Sequence, residues 1–316
     1  MILSNLFKNL FQKFLSEKTK DKFERFILLF ALASFIIHLI IIGLVSFRIV
    51  SIDQSTILLS NPIAAIYTPF SFILVYEVYL LIYYLPKSIT TYISKQYEII
   101  TLIIIRRLFK DLADLSLSTD WFKIKYDLQF TYDIIASVLL FFLIYLFYAE
   151  SRKIYRTPSE NLLKKESIAK FIQIKKIIAT ALVPVLFIIA TYSFINWSLG
   201  TFQTAENTSV SFKNINNIFF EQFFNILIIA DVILLLFSFF HTDEFHKVIR
   251  NSGFIISTIL IRLSFSVTGL LNTALIVSAI VFGLLILIIH NKFEKLIASE
   301  SKNLDSPRNH KKDLKG

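Results

Sequence analysis

Residues 99–109 read IITLIIIRRLF, an apolar stretch that carries the adjacent arginines Arg106 and Arg107. An arginine near the centre of a bilayer costs roughly 2.5 to 3.5 kcal/mol on insertion scales, so it usually faces a carboxylate, a polar cavity or water. A similar stretch, residues 255–265, reads IISTILIRLSF and places Arg262 in register with Arg106. Any fold for this chain therefore has to accommodate arginines inside apolar segments near both ends.

The composition predicts an all-α integral membrane protein. Hydrophobic residues make up 55% of the 316 residues and charged residues only 18%, against roughly 25% charged in soluble proteins. The absence of cysteine excludes disulfides, thiolate metal sites and a cysteine nucleophile. Heavy use of Ile, Phe and Lys suggests an AT-rich bacterial genome, so we expect the protein in the bacterial inner membrane.

We expect about eight membrane-spanning helices. The expected spans are residues 26–47, 63–85, 91–109, 132–148, 177–195, 218–240 and two short spans within residues 254–290, joined near Thr268 and Gly269. As a single helix, the last apolar run would be about 55 Å long, against roughly 30 Å of hydrocarbon, so two crossings fit it better.

Loop charges decide whether the third of these segments spans. Residues 91–109 contain no long uncharged run, so hydropathy alone does not settle the matter. Residues 1–25 and 150–176 are both rich in Lys and Arg, which places both on the cytoplasmic side. An even number of crossings must separate them, and counting residues 91–109 as a span gives four.

The chain is predicted to divide into five parts. These are an amphipathic surface helix (1–24), a four-helix membrane repeat (25–149), a basic cytoplasmic linker with a second surface helix (150–176), a second four-helix repeat (177–291) and a basic, disordered cytoplasmic tail (292–316). Apolar residues at helical spacing predict the first surface helix, and a capping-box sequence at 157–160 predicts the start of the second. Both termini are then cytoplasmic.

Three matches in the same order indicate an internal duplication. Phe35 matches Phe187 at a spacing of 152 residues, Glu77 matches Asp231 at 154, and the arginine stretches match at 156. Chance explains shared isoleucines in such helices, but it explains less easily an acid and an arginine that recur in order. Two repeats of four crossings each would have the same orientation in the membrane.

Each predicted repeat carries a carboxylate in its second span and an arginine in its third. We therefore expect Glu77 to pair with Arg106 or Arg107, and Asp231 to pair with Arg262. The candidate site residues are Glu77, Arg106, Arg107, Asp133, Asp231 and Arg262, with His38, Tyr84 and Ser238 as accessory polar groups. Asp133 is the expected additional partner of Arg106 or Arg107.

The charges admit two interpretations, either ion pairs that hold helices together or the lining of a polar path. Arginine does not deprotonate in proteins, so only the acids and His38 could relay protons, while the arginines could bind an anion. We expect no enzyme activity, because no Walker A, GxSxG or GxGxxG motif is present. No cofactor or metal is expected, since His246 and its acidic neighbours lack the HExxH spacing.

Two functions follow from these interpretations. The first is a channel or secondary transporter with a charged path between two repeats. The alternative is a non-catalytic membrane scaffold or regulatory subunit, which the low count of 6 glycines favours because many transporters use glycine to break helices. A membrane-embedded enzyme is a third possibility without an identifiable catalytic set.

The expected partners follow from the charge distribution. They are the lipid bilayer, anionic lipid at the basic cytoplasmic flanks, an ion or small anion, and a second copy or another membrane protein. The net charge of +10 does not indicate nucleic-acid binding, because the cations flank apolar spans and no recognition module is visible.

The topology predicts that tags inserted at Asp120 and at Lys165 report opposite sides of the membrane. Accessibility labelling in intact cells and in inverted vesicles measures this directly. Both tags on one side would remove residues 91–109 from the spans and end the argument for two repeats of the same orientation.

Overall fold

The computed structural model describes residues 2–47, 65–113, 125–153, 162–203, 208–240, 244–267 and 269–305, and in these ranges the regular structure is entirely helical. Nine helices occupy the described residues. They are α1 (Ile2–Phe14), α2 (Glu17–Ser46), α3 (Tyr67–Tyr84), α4 (Ile89–Ala113), α5 (Lys125–Ser151), α6 (Leu162–Gln203), α7 (Thr208–Phe239), α8 (Phe245–Ser264) and α9 (Leu270–Asp305). We call α2–α5 the first half and α6–α9 the second half.

Five of the described helices are long and apolar enough to cross a membrane. Their candidate spans are Glu17–Ser46, Leu128–Ser151, Ile168–Tyr192, Gln222–Phe239 and Leu270–Glu300. A shorter apolar stretch, Thr68–Tyr84, makes up most of α3. Large hydrophobic side chains such as Leu29 and Phe141 project outward from these helices. Such a surface is unfavourable in water and is consistent with an integral membrane protein.

Side-chain contacts in the first half show that α4 and α5 run in opposite directions. Arg107, late in α4, contacts Asp133, early in α5. Glu98, earlier in α4, accepts a hydrogen bond from Tyr148, late in α5. The same reasoning applies to α8 and α9, because Ser257 bonds to the carbonyl of Ala279 while the earlier His246 contacts the later Glu294.

Contacts between the halves show that α5 and α9 run in the same direction. Thr273 donates to Asp133 at 2.9 Å, and Asn291 donates to the backbone carbonyl of Glu150 at 2.9 Å. Because each of these helices is antiparallel to its own neighbour, α4 and α8 also run in the same direction. The two halves therefore share one orientation.

Each half packs its helices in chain order. α2 contacts α3, α3 contacts α4 and α4 contacts α5, and the second half repeats this series from α6 to α9. The halves meet through α4 with α8, α5 with α9 and α3 with α6. A duplicated unit of four membrane crossings stays a prediction.

The arginine-bearing helices α4 and α8 lie inside the bundle. Their buried side chains include Tyr97 on α4 and Phe254 on α8, and Phe147 of α5 packs between them with ring centroids 5.1 Å and 5.8 Å away. Neither helix is among the five candidate spans, because each carries several charges. Apolar helices therefore surround the two charged helices, and this is the arrangement that a lipid environment favours.

The first surface helix is shorter than predicted. It ends at Phe14, and the hydroxyl of Ser16 accepts a hydrogen bond from the backbone N–H of Thr19, which caps a new helix beginning at Glu17. Residues 17–24 are therefore the first turns of α2 rather than a continuation of α1.

Two other helices are longer than predicted. α6 is continuous through Pro184, so the described part of the expected second surface helix is the beginning of α6 rather than a separate element. α9 continues through the first 14 residues of the expected disordered tail, because no proline or glycine interrupts residues 284–305. The capping-box residues 157–160 and the end of the tail, residues 306–316, lie outside the described residues.

The chain divides between α8 and α9 near the predicted position. Gly269 has φ of +75°, a conformation that favours glycine because it lacks a Cβ. Asn272 stabilises this connection by donating from its side-chain amide to the carbonyl of Ser264, at the last residue of α8.

Close packing at Gly283 generates a stability prediction. A methyl group there would overlap the hydroxyl of Tyr97, whereas a methyl group on Gly43 would meet no atom within 4 Å. Because overpacking costs roughly 1 to 3 kcal/mol, we expect Gly283→Ala to lower the Tm of the purified protein clearly.

The matched control is Gly43→Ala, which should leave the Tm nearly unchanged. Adding Tyr97→Phe to Gly283→Ala should recover part of the loss, because the overlapping hydroxyl is removed. An unchanged Tm for Gly283→Ala alone would mean that α4 does not approach α9 this closely.

Candidate functional site

The charged pair of the first half lies between α3 and α4. Arg106 donates from Nη2 to a carboxylate oxygen of Glu77, and its Nη1 donates to the backbone carbonyl of Phe70 at 3.3 Å. Both charged side chains are largely buried. The Nε of Arg106 has no hydrogen-bond partner among the described residues. The structure thus brings together the pair expected from the helix order, with a buried donor unsatisfied.

The second charged pair joins three helices. Asp231 of α7 is fully buried and accepts from the Nη2 of Arg262 on α8 at 2.8 Å. It also accepts from the hydroxyl of Tyr92 on α4 at 2.9 Å, which connects the second half to the first. The Nη1 of Arg262 lacks a partner in the described part of the chain, and the guanidinium lies 5.9 Å from the ring centroid of Phe224.

A third polar cluster surrounds Arg107 and also connects the halves. Arg107 donates to Asp133 from Nε at 2.6 Å and from Nη2 at 2.7 Å, a bidentate arrangement. Asp133 accepts further bonds from Gln129 and Thr273, each at 2.9 Å. Arg107 also donates to the side-chain oxygen of Asn272 at 2.7 Å. Asp133 therefore faces Arg107 rather than Arg106.

Two of the accessory residues lie away from these pairs. His38 on α2 is 2.5 Å from the hydroxyl of Thr68, at the start of α3. The ring of Tyr84 packs against Tyr83, and the ammonium of Lys95 lies 5.5 Å from its centroid. Neither residue joins the Glu77 pair, and both contacts bind helices together.

A cavity of about 350 Å³ lies where the α3–α4 connection meets α6, α7 and α8. Its lining therefore comes from both halves. The polar side chains used below are Tyr92, Lys175, Asp231, Ser238, Arg250 and Asn251. The lining includes exposed Ser88 and fully buried Asp231, so the cavity connects the surface of the bundle with the second charged pair.

Hydrogen bonds hold several of these polar groups in place. Asn251 donates to the hydroxyl of Ser238 at 2.7 Å and accepts from Arg250 at 3.1 Å and 3.2 Å. Lys175 is buried and donates to the backbone carbonyl of Lys87 at 2.9 Å. Burial lowers the pKa of Arg250 below its ordinary value, although an arginine keeps its charge. The cavity wall is therefore cationic.

A group with metal-ligating atoms lies beside this cavity. His246, His290 and Glu294 each offer one ligand atom, and these atoms lie within 4.8 Å of one another. The Nη1 of Arg250 lies 2.9 Å from Nε2 of His290, so the guanidinium uses the lone pair that a metal would need. In this structure the two histidines, Glu294 and Arg250 form a hydrogen-bonded network. A metal cation bound here would compete with Arg250.

Sequence reasoning missed several residues of these sites. Asn272 and Thr273 could have been found as adjacent polar residues at the start of an apolar run. Lys175 belongs to the predicted basic linker, and nothing in the local sequence indicates that Lys175 or Arg250 faces a cavity. Tyr92 gave no signal either, because its role depends on packing between the halves.

A scan against protein-family models, a search of curated proteins and a search of solved structures all find no match to this chain.

The buried pair on α7 and α8 generates a second stability prediction. Arg262→Met leaves the Asp231 carboxylate buried without its cation, and breaking such a pair costs roughly 3 to 5 kcal/mol. We expect a marked loss of Tm for this variant, and substantial recovery when Asp231→Asn is added, because the double variant contains no buried unpaired charge.

Arg152→Met is the matched control, since Arg152 is exposed. The four proteins of the Arg262 and Asp231 cycle are compared by thermal unfolding in one detergent. Additive losses in the double variant would show that the two residues do not interact in solution.

Proposed function

We propose that this chain is a multi-pass membrane channel or secondary transporter whose charged path lies between its two halves. The observation that carries this proposal is the cavity that is lined by both halves and reaches the buried pair of Asp231 and Arg262. Ionisable groups inside a membrane commonly mark ion and substrate pathways. A cavity that ends at such a group offers a route by which a solute reaches it.

The position of the charged helices supports this proposal. α4 and α8 carry Arg106, Arg107 and Arg262 in the interior, while the candidate spans of α2, α5, α6, α7 and α9 carry the apolar residues. In this proposal both termini and the α3–α4 connection lie on the cytoplasmic side, which their basic flanks favour. The cavity then opens toward the cytoplasm, and the Arg107 cluster lies toward the outside.

The shared orientation of the halves also supports it. Two repeats related by an axis along the membrane normal are a known transporter architecture, with substrate sites at the repeat interface. In this proposal the acids Glu77 and Asp231 are the groups that exchange protons or bind a cation. The arginines pair with the acids or bind an anion, because they stay charged.

A second candidate, a membrane scaffold or regulatory subunit, is favoured by the direct pairing of each interior arginine with an acid. Arg106, Arg107 and Arg262 each contact a carboxylate directly. α6 also continues through its proline without a break. Such closed pairs hold helices in register without any solute moving, so flux has to be measured.

The transport proposal predicts ion or solute flux in proteoliposomes of the purified chain under an imposed potential or pH gradient. Asp231→Asn should reduce that flux at least about tenfold, since it removes the charge at the end of the cavity and about 1.4 kcal/mol corresponds to a factor of ten. Ion-sensitive dyes inside the vesicles report the rate.

Asp21→Asn is the control, because Asp21 is an exposed acid of α2 that does not line the cavity. Its flux should equal that of the unmodified protein. No flux above empty vesicles for any tested gradient, with folded protein recovered from the vesicles, favours the scaffold. Flux that is unaffected by Asp231→Asn would place the path elsewhere.

A further inference from the structure

Lys175 is a buried cation whose contacts do not include a carboxylate. The residue is 7% exposed, its ammonium donates to the carbonyl of Lys87, and it lies 5.3 Å from the ring centroid of Phe171. In the described part of the chain no Asp or Glu oxygen lies within salt-bridge distance of it. Burying an ammonium without a counter-charge is unfavourable, so a negatively charged partner would stabilise the Lys175 side chain.

Arg250 presents a second cation to the same cavity. Its guanidinium contacts the side-chain oxygen of Asn251 and the ring nitrogen of His290, both neutral acceptors. Among the described residues it too forms no salt bridge with a carboxylate. Both cations therefore have hydrogen bonds but no directly paired negative charge.

The acid in the cavity lining does not balance these charges. Asp231 is already bonded to Arg262 at 2.8 Å and to the hydroxyl of Tyr92 at 2.9 Å. The charged side chains that line the cavity are Lys87, Lys175, Arg250 and Asp231, three cations and one anion, while Glu244 and Glu294 act on Arg250 from outside the lining. The cavity therefore has an excess of positive charge that an anionic ligand would compensate.

Most of the other lining residues are apolar. They include Phe171 and Ile172 of α6, Leu234 and Leu235 of α7, and Ile255 of α8. The volume of about 350 Å³ falls within the range of roughly 300 to 1,000 Å³ typical of small-molecule sites. Such a lining accommodates an organic body as well as a charged head.

We propose that the cavity binds an amphipathic anion, with its carboxylate or phosphate head between Lys175 and Arg250 and its apolar body against α6 and α7. This names a substrate class for the proposed path and depends on the transport proposal only for what happens after binding. The anion could be a water-soluble organic acid or the headgroup region of an anionic lipid. The two sources share the same head chemistry.

The test is binding to the purified full chain in a neutral detergent, with benzoate and phenyl phosphate as soluble probes. Benzamide is the neutral analogue of benzoate. We expect both anions to raise the Tm in a concentration-dependent manner and benzamide to leave it unchanged. Equal shifts from benzoate and benzamide would overturn the proposal, since the charge of the head would then be irrelevant.

Substitutions assign the binding to the two cations. Lys175→Met and Arg250→Gln should each weaken benzoate binding about tenfold or more, as expected for loss of a charge-assisted hydrogen bond. Lys176→Met is the matched control, since Lys176 is exposed and stacks on Phe11, and its binding should be unchanged. Unchanged affinity in both cavity variants would overturn the proposal.

A further readout separates this site from a purely structural role. Removing an uncompensated buried charge should leave the Tm of ligand-free Lys175→Met equal to or above that of the unmodified protein. If Lys175→Met does not fold, the two variants of Arg250 test the proposal instead. Arg250→Lys should then retain benzoate binding and Arg250→Gln should lose it, and binding that is lost equally in both would count against the site.

The source of the anion is distinguished by a lipid arm. Short-chain phosphatidic acid, but not phosphatidylcholine, should displace benzoate if a lipid headgroup is the natural ligand. Competition by soluble organic acids alone identifies a soluble ligand. Anion binding without flux would sustain this site and reject transport, whereas flux that is indifferent to Lys175→Met and to benzoate would reject the amphipathic anion as the substrate and leave transport standing.

Discussion

Buried positive charge is the constraint on which the rest of this bundle depends. The guanidinium groups of α4 and α8 lie among helices whose outer surfaces are apolar, and burying a charge requires both a counter-charge and satisfied hydrogen bonds. The acids are supplied by the immediate neighbours, α3, α5 and α7. Because a slip of one helical turn would move an arginine about 5.4 Å from its acid, these pairs also determine the register of the helices.

The same constraint explains how much of the structure the sequence predicts. The helices and the pairs of Glu77 with Arg106 and Asp231 with Arg262 follow from apolar runs and from the order of charged residues. Helix ends were less predictable, since the end of α1 depends on a cap at Ser16 and the length of α9 on the absence of a breaker. The cavity could not be predicted, because Lys175 reaches Lys87 only through the packing of α6 against α3.

The two halves pack their helices in the same order, but α4 and α8 differ in how they contact α9. Tyr97 of α4 and Gly253 of α8 are 156 residues apart, the same spacing as Arg106 and Arg262. The tyrosine ring projects toward Gly283 on α9, whereas Gly253 leaves room for Ile286 of the same helix. α9 thus presents Gly283 to the tyrosine of α4 and Ile286 to the glycine of α8.

This packing layer separates the two ends of any path between the halves. The cavity borders Asp231 on one side, and on the other side the Arg107 side chain is 27% exposed while Asp133 is buried. Tyr92 and Arg107 lie about 22 Å apart along α4, with Tyr97 between them at the contact with Gly283 and Ser257. A solute that passes between the halves has to cross this layer. A scaffold needs the layer only to stay packed, whereas a path needs Tyr97 to move, so the mobility of this tyrosine distinguishes the two functions physically.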